Sequence, residues 1–232
     1  MAKNQLSIII PVFNEREKIT VLIDFLLNHE SYRLLEIIVV DAKKSTDNLD
    51  ELKLNEKVKL ISSSETCRAA QLQIGAEASK GDVLYFLHAD TFPPSDYISR
   101  LYSCLLEKDF GMFSYHFDRK EWNFRFNAWM TQWKAFYTGG GDQGLFLSKG
   151  IFEQVGGFDT NLSVMEDYDL FWRLKKHKMK YQIVKSPATV SARKYEKNSG
   201  FKINMVNLIT LLGFKWWGNN EKWAKFYKKH IQ

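Results

Sequence analysis

The run Leu6-Ser-Ile-Ile-Ile-Pro-Val12 narrows the possible folds more than any other stretch of the chain. It is almost wholly apolar, rich in β-branched residues, and shows no alternation with polar ones. A strand with one face in water alternates and a strand covered on both faces does not, so this segment belongs inside a largely parallel sheet. Asn14 and Glu15 end it, and Ile19, Leu22, Ile23, Leu26 and Leu27 then recur at the period of a helix. Leu35 to Val40 is a second β-branched run that stops at Asp41, and Val58 to Ser62 is a shorter third. Ala69 to Ala78 reads as a helix stopped by Lys80 and Gly81, and Val83 to Leu87 as a fourth strand running into His88-Ala89-Asp90.

This alternation predicts an α/β domain with a mostly parallel, twisted sheet flanked by helices. Ligands of such sheets bind beyond the carboxyl ends of the strands. Here those ends carry Asn14 and Glu15, then Asp41, then His88 and Asp90. Each alone is an ordinary turn former; three polar strand ends together mark a binding rim. Farther along, Pro93 and Pro94 open a helix from Ser95 to Leu106. The aromatic-dense stretch from Phe110 to Thr138 has no clear period, with Trp122 to Phe136 a candidate helix. Gly139 to Gln143 reads as a flexible loop, Gly144 to Ser148 as a strand, Glu166 to Lys175 as a helix and Ala188 to Arg193 as a last strand.

The 232 residues suit one hydrophobic core, with no internal repeat or linker to divide them. The expected organisation is one domain over residues 1–200 and a helical tail over residues 201–232. A net charge of +6 suits an anionic small molecule or a lipid surface as well as nucleic acid. No nucleic-acid recognition element accompanies it, so a nucleic-acid partner is not expected. Cys67 and Cys104 are the only cysteines, which argues against a disulfide framework and for a reducing, cytoplasmic setting. The N-terminus lacks the apolar run of a signal peptide, and no run of roughly 18 apolar residues suggests a transmembrane helix.

Asp90 is the first candidate for chemistry. A carboxylate at the end of a buried strand is placed to hold Mg²⁺ or Mn²⁺, hard cations that accept one or two protein oxygens when phosphates and water supply the rest. The plainer alternative is a cap for the helix after Pro93. Arg68 and Arg193 are candidates for a diphosphate, since guanidinium matches phosphate oxygens in a fork, or else for surface ion pairs. Asp142 and Gln143, after three glycines, are placed to read acceptor or sugar hydroxyls or to make turn bonds of their own. Trp122, Trp129 and Trp133 suit stacking on sugar rings, although aromatics at helical spacing are more often core.

In order along the chain stand Pro11-Val12-Phe13-Asn14-Glu15, Ile37 to Asp41 with Ser45-Thr46-Asp47, Gly75 to Asp82, His88-Ala89-Asp90, Gly156-Gly157-Phe158 and Met165-Glu166-Asp167. The ordered set resembles the family 2 glycosyltransferases, which have the nucleotide-sugar-binding fold called GT-A, and the resemblance runs from about Leu6 to about Arg193. Arg68-Ala69, Gln71, Gly75-Ala76, Leu87 to Asp90, Gly141-Asp142-Gln143 and Ser191-Ala192-Arg193 are most similar to a bacterial branch named for arsenosugar biosynthesis. The resemblance implies that Pro11, Asn14 and Glu15 line the base and ribose pocket and that Asp41 contacts the nucleoside. It implies that Asp90 coordinates the metal, being the last Asp of the family's DxD motif, and that Asp167 is the general base. Glu166 would assist Asp167 or cap the helix. UDP is the family's commonest nucleotide carrier.

Two departures stand out. His88 replaces the first Asp of DxD, as a packed histidine or a phosphate donor. The segment from Asp41 to Asp47 is one residue longer than the family's usual loop and carries Lys43 and Lys44, which reach phosphate or lie in a solvated turn. The expected activity is a metal-dependent, inverting transfer of a sugar from a nucleotide-diphosphate donor to a hydroxyl acceptor, whether small molecule, glycan or lipid. The rivals are a catalytically decayed nucleotide-sugar-binding or scaffold protein and a nucleotidyltransferase of similar fold, the latter disfavoured by Asn14-Glu15 where a Gly-rich phosphate loop would stand. The tail mixes Trp216, Trp217 and Trp223 with Lys215, Lys222, Lys225, Lys228 and Lys229. It suits packing on its own domain or on a second copy, or peripheral contact with the inner face of a membrane.

Overall fold

The computed structural model describes residues 4–42, 45–49, 55–119, 121, 124, 128–129, 131–134, 138–193, 195, 200–217 and 221–231. Eight strands form one sheet in the order β3-β2-β1-β4-β7-β6-β8-β5. They are β1 (Leu6–Val12), β2 (Leu34–Asp41), β3 (Val58–Ser62), β4 (Val83–Phe86), β5 (Thr91–Phe92), β6 (Phe110–Phe117), β7 (Leu145–Ser148) and β8 (Tyr181–Val190). The helices are α1 (Arg16–Asn28), α2 (Arg68–Ala78), α3 (Tyr97–Leu105), α4 (Lys149–Gln154), α5 (Glu166–Lys176), α6 (Gly200–Trp217) and α7 (Glu221–His230). Parallel ladders join β1 to β2 and β4, β2 to β3, and β6 to β8; β7 runs antiparallel to β4 and β6.

Successive residues of β1 feed opposite faces of the sheet, which explains its unbroken apolar run. Ile8 and Ile10 enter one core cluster with Leu22 and Leu26 of α1 and Tyr97 and Leu101 of α3. Ile9 enters the other with Leu72 and Ala76 of α2 and Leu170 and Phe171 of α5. The β4 ladder on β1 ends at Ile9, two residues before Pro11, which lacks a backbone N–H to give it. At the opposite end of the sheet from the polar rim, buried Glu36 is ion-paired with Lys59 and accepts hydrogen bonds from Ser7 Oγ at 2.7 Å and Lys80 N at 2.6 Å. Burial works to raise its carboxyl, but these partners outweigh it and hold the group below the ordinary carboxylate range.

The first four strands and α1, α2, α3 and α5 lie where the periodicity puts them, within a residue or two. Besides the two-residue β5, two elements went unread and β8 was read only in part. β6 fills the aromatic stretch without a clear period because its first five residues are all buried, which abolishes alternation. β8 begins at Tyr181 rather than Ala188, since its pairing with β6 skips from Val184 to Ala188 and accommodates Pro187 in a bulge. α4 is only one and a half turns long and carries no readable period. The candidate helix from Trp122 to Phe136, like Lys43 and Lys44, lies largely or wholly outside the described residues. In the tail, Phe214 of α6 stacks on Trp172 of α5 with ring centroids 5.8 Å apart. α7 packs so closely on α6 that a Cβ at Gly213 would lie 2.4 Å from the Trp223 ring. Among the described residues no helix is long and apolar enough to cross a membrane.

Gln71 of α2 ties helix to sheet. Its buried amide donates to Val12 O at 2.8 Å and Val40 O at 2.7 Å, joining the carboxyl ends of β1 and β2. Gln71→Leu keeps the volume and removes both hydrogen bonds, leaving Val12 O with its bond from Ala42 N. It should lower stability by about 2 kcal/mol, read as a shifted urea midpoint at unchanged slope.

Candidate functional site

The carboxyl ends of β1, β2, β4, β6 and β8, the loop entering β7 and the amino ends of α2 and α5 share one rim of the sheet. The chain order reverses there between β1 and β4, which places the crevice of a doubly wound sheet. At its centre is His88, just after β4. Its Nδ1 lies 3.8 Å from Asp142 Oδ1 and its Nε2 lies 3.7 Å from Asp167 Oδ2. Burial and the Arg68 charge oppose protonation of the ring, yet Asp142 and Asp167 outweigh them and push its pKa up to about 9. The two carboxylates thus favour the charged form of the ring from ion-pair rather than hydrogen-bond distance, and the buried Nε2 has no hydrogen-bond partner.

The loop before β7 closes directly on this histidine. A Cβ at Gly141 would meet His88 Cε1 at 2.2 Å and Asp167 Oδ2 at 2.4 Å, so only glycine allows the backbone to lie there. The expected flexible loop is instead a pinned 3₁₀ turn, Gly141–Gln143. Gln143 pins it: buried, it accepts from Gly139 N at 3.0 Å and turns its amide NH₂ toward the Phe113 and Thr131 carbonyls at 3.4 Å. That corrects its expected role, because a side chain so engaged presents nothing to a sugar hydroxyl. Asp142, by contrast, faces His88.

α5 opens at Met165, which holds a left-handed φ of 66°, an uncommon conformation for a residue with a side chain. The next two acids then diverge. Glu166 is buried and faces Arg68 Nη1 at 3.5 Å; burial first, and Asp167 second, push its carboxyl up despite Arg68. Asp167 faces His88. Burial opposes the Arg68 charge, but Glu166, Asp167, Asp142 and Asp90 raise its pKa, so a half-exposed guanidinium stands among four acids.

Asp90 lies two residues beyond His88, its carbonyl accepting from Ser191 N at 3.2 Å. Among the described residues no three His, Cys, Asp or Glu side chains are grouped to hold a metal by themselves. The donor set still fits one class of ion. A single hard carboxylate, in a cluster where acids outnumber cations, suits Mg²⁺ or Mn²⁺ sharing its remaining positions between water and a diphosphate.

The other expected residues serve the rim in different ways. Asn14, in a left-handed conformation with φ 54°, accepts from Thr46 N at 2.8 Å and holds the loop after β2. Asp47 of that loop accepts from Arg16 N at 2.8 Å and so caps α1, a role that no local spacing signals. Glu15 bonds Lys18 at 2.8 Å and Arg193 at 3.3 Å, clipping the ends of β1 and β8 together. Asp41 has one oxygen, Oδ1, buried without a partner, and burial leads the effects that raise its carboxyl. Pro11 is buried near the carboxyl end of β1. Trp129 and Trp133 stand half-exposed with edge-to-face rings 5.9 Å apart, while Trp122 lies outside the described residues.

Residues 7–161 match the family model described as Glycosyl transferase family 2. The chain belongs to that family. It is 26% identical over 181 residues to an uncharacterized glycosyltransferase of Haemophilus influenzae, which covers 73% of this chain and 61% of that protein. The family 2 chain also shares its fold with the mannosyltransferase PcManGT from Pyrobaculum calidifontis, solved in complex with GDP-Man and Mn²⁺, at a TM-score of 0.67 and 17% identity over 90% of this chain and 61% of that one. S. aureus TarS 1-349 in complex with UDP-GlcNAc gives a TM-score of 0.65 at 13% identity over 96% of this chain and 69% of that one. The chain thus spans about three fifths of the length of the first two proteins.

Within this member of the family, His88 is the hub that sequence reasoning left undecided. NMR titration of its ring should give a midpoint near 9 rather than its ordinary 6.5, falling in Asp142→Asn. A pKa raised by folding adds stability that is fully present below about 6.5 and lost as pH rises through about 9. The melting temperature of the wild type should therefore drop over that interval, and by less in Asp142→Asn.

Proposed function

We propose that this family 2 protein is a metal-dependent, inverting glycosyltransferase of the hexosyl type, using a nucleotide-diphosphate sugar, a UDP-sugar first among them, and a hydroxyl acceptor. The observation that carries this reading is the meeting of Asp167, His88, Asp142, Arg68 and Asp90 at the carboxyl rim of the sheet. The printed ligands of the structurally similar proteins, GDP-Man with Mn²⁺ and UDP-GlcNAc, support a donor of this class. The ordered motifs around Arg68, Gln71 and Arg193 support the further proposal of the arsenosugar-biosynthesis-like branch.

In the proposed reaction Asp167 takes the proton of the acceptor hydroxyl as its oxygen attacks the anomeric carbon. The bond to the diphosphate breaks, its electron pair leaves on the phosphate oxygen, and a single displacement inverts the configuration. Asp90 would hold the cation, which when bound offsets the charge of the diphosphate. Arg68, oriented by Glu166, offers a guanidinium to the same oxygens. The unpartnered Oδ1 of Asp41 supports its contact with an N–H or O–H of the nucleoside. Asn14, Glu15 and Arg193 shape the pocket through the contacts that hold its loops.

The test is a thermal-shift and donor-hydrolysis panel of nucleotide-sugars with Mn²⁺, Mg²⁺ or EDTA. At a hundredfold excess over its dissociation constant a true donor stabilises by about 2.7 kcal/mol. Asp90→Ala should lose the metal-dependent shift. Asp167→Asn should keep it while turnover falls by about 10²–10⁴-fold. Absence of any shift by any nucleotide or nucleotide-sugar under every metal condition would sink the catalytic reading in favour of a decayed scaffold.

A further inference from the structure

Helix α6 is apolar on both sides. Its inner face, Ile203, Val206, Thr210 and Phe214, is buried against the domain and anchored by the stacking of Phe214 on Trp172. At the helical period Met205, Ile209, Leu212 and Trp216 fall on the opposite side. They are 39%, 39%, 39% and 76% exposed, and Trp217 beyond them is 70% exposed. A helix on the surface of a soluble protein carries polar residues there. This one carries a stripe running about 16 Å along its axis, bordered by Lys202 on one side and Lys215 on the other. α7 turns Ala224 and part of Trp223 inward and leaves Lys225, Lys228 and Lys229 exposed. Residues 200–232 hold six Lys against Glu221 as the sole acid, and Glu221 is bridged to Lys225 at 3.1 Å.

We propose that the outer face of α6 with the lysines of α7 is a docking surface for an anionic lipid bilayer. The aliphatic stripe enters the boundary between headgroups and acyl chains, the indoles of Trp216 and Trp217 lie at the level that suits an amphipathic ring, and the lysines meet anionic headgroups. Charge decides against a second copy as the occupant. A two-fold contact would use the same patch twice and bring two sets of lysines together, with only the bridged Glu221 on each side to answer them. The proposal is independent of the catalytic reading, since none of these residues belongs to the rim.

The test sediments the full chain with vesicles of phosphatidylcholine alone and of equal parts phosphatidylcholine and phosphatidylglycerol. The wild type should pellet with the anionic vesicles, remain in solution with the neutral ones and dissociate at high salt. Ile209→Glu and, separately, Trp216→Ser alter outward side chains. Each should lower partition onto anionic vesicles about tenfold while far-UV circular dichroism stays unchanged. A wild type that stays in solution with anionic vesicles overturns the proposal, and so do two folded variants that pellet as well as it does. Sedimentation velocity without lipid covers the rival: a dimer that Ile209→Glu dissociates would assign the stripe to a second copy.

Discussion

β1 meets water on neither face, and β2 and β4 flank it over most of its length. A strand so enclosed cannot carry polar groups along its run, so the chemistry must gather at its end. Gln71 makes that end rigid. Its amide costs free energy to bury, which the hydrogen bonds it donates to two strand-end carbonyls offset. The loops that follow are mounted on this floor: Asn14 holds the segment after β2, Asp47 of that segment caps α1, and Glu15 reaches across to Arg193.

On that floor the decisive balance is electrostatic. A buried histidine beside an arginine should lose its proton; His88 keeps it because two carboxylates flank the ring. α5 separates the fates of neighbouring acids in the same way. Glu166 is turned into the core against Arg68, while Asp167, one position on, is turned toward the crevice.

Much of this was legible in the sequence, for identifiable reasons. The buried strands declare themselves because covering both faces removes polar alternation, and Asp41, His88 and Asp90 declare themselves by ending such runs. What stayed hidden depends on contacts between segments remote in sequence. β6 lacks alternation in a stretch that also lacks helical spacing, and Pro187 masks the first half of β8 because a bulge is a property of the pair rather than of one strand. Likewise, neither the inward turn of Gln143 nor the cap that Asp47 gives α1 follows from neighbours in the chain. Glycine beside glycine at 139–141 signals freedom, whereas the fold uses Gly141 for closeness.

That closeness has a consequence for how the site can work. Gly141 rests on His88 and Asp167 together, so the loop before β7, the turn after β4 and the start of α5 are held as one unit without a covalent link. The loop is pinned from behind by Gln143 and in front by the His88 ring, which leaves little freedom to reorganise when a charged ligand arrives. A site that stabilises charge is most effective when its dipoles and charges are already in place, because reorganising them during reaction adds to the barrier. The volume removed at Gly141 thus serves the same end as the buried amide of Gln71, a rim that is stiff where charge must be met.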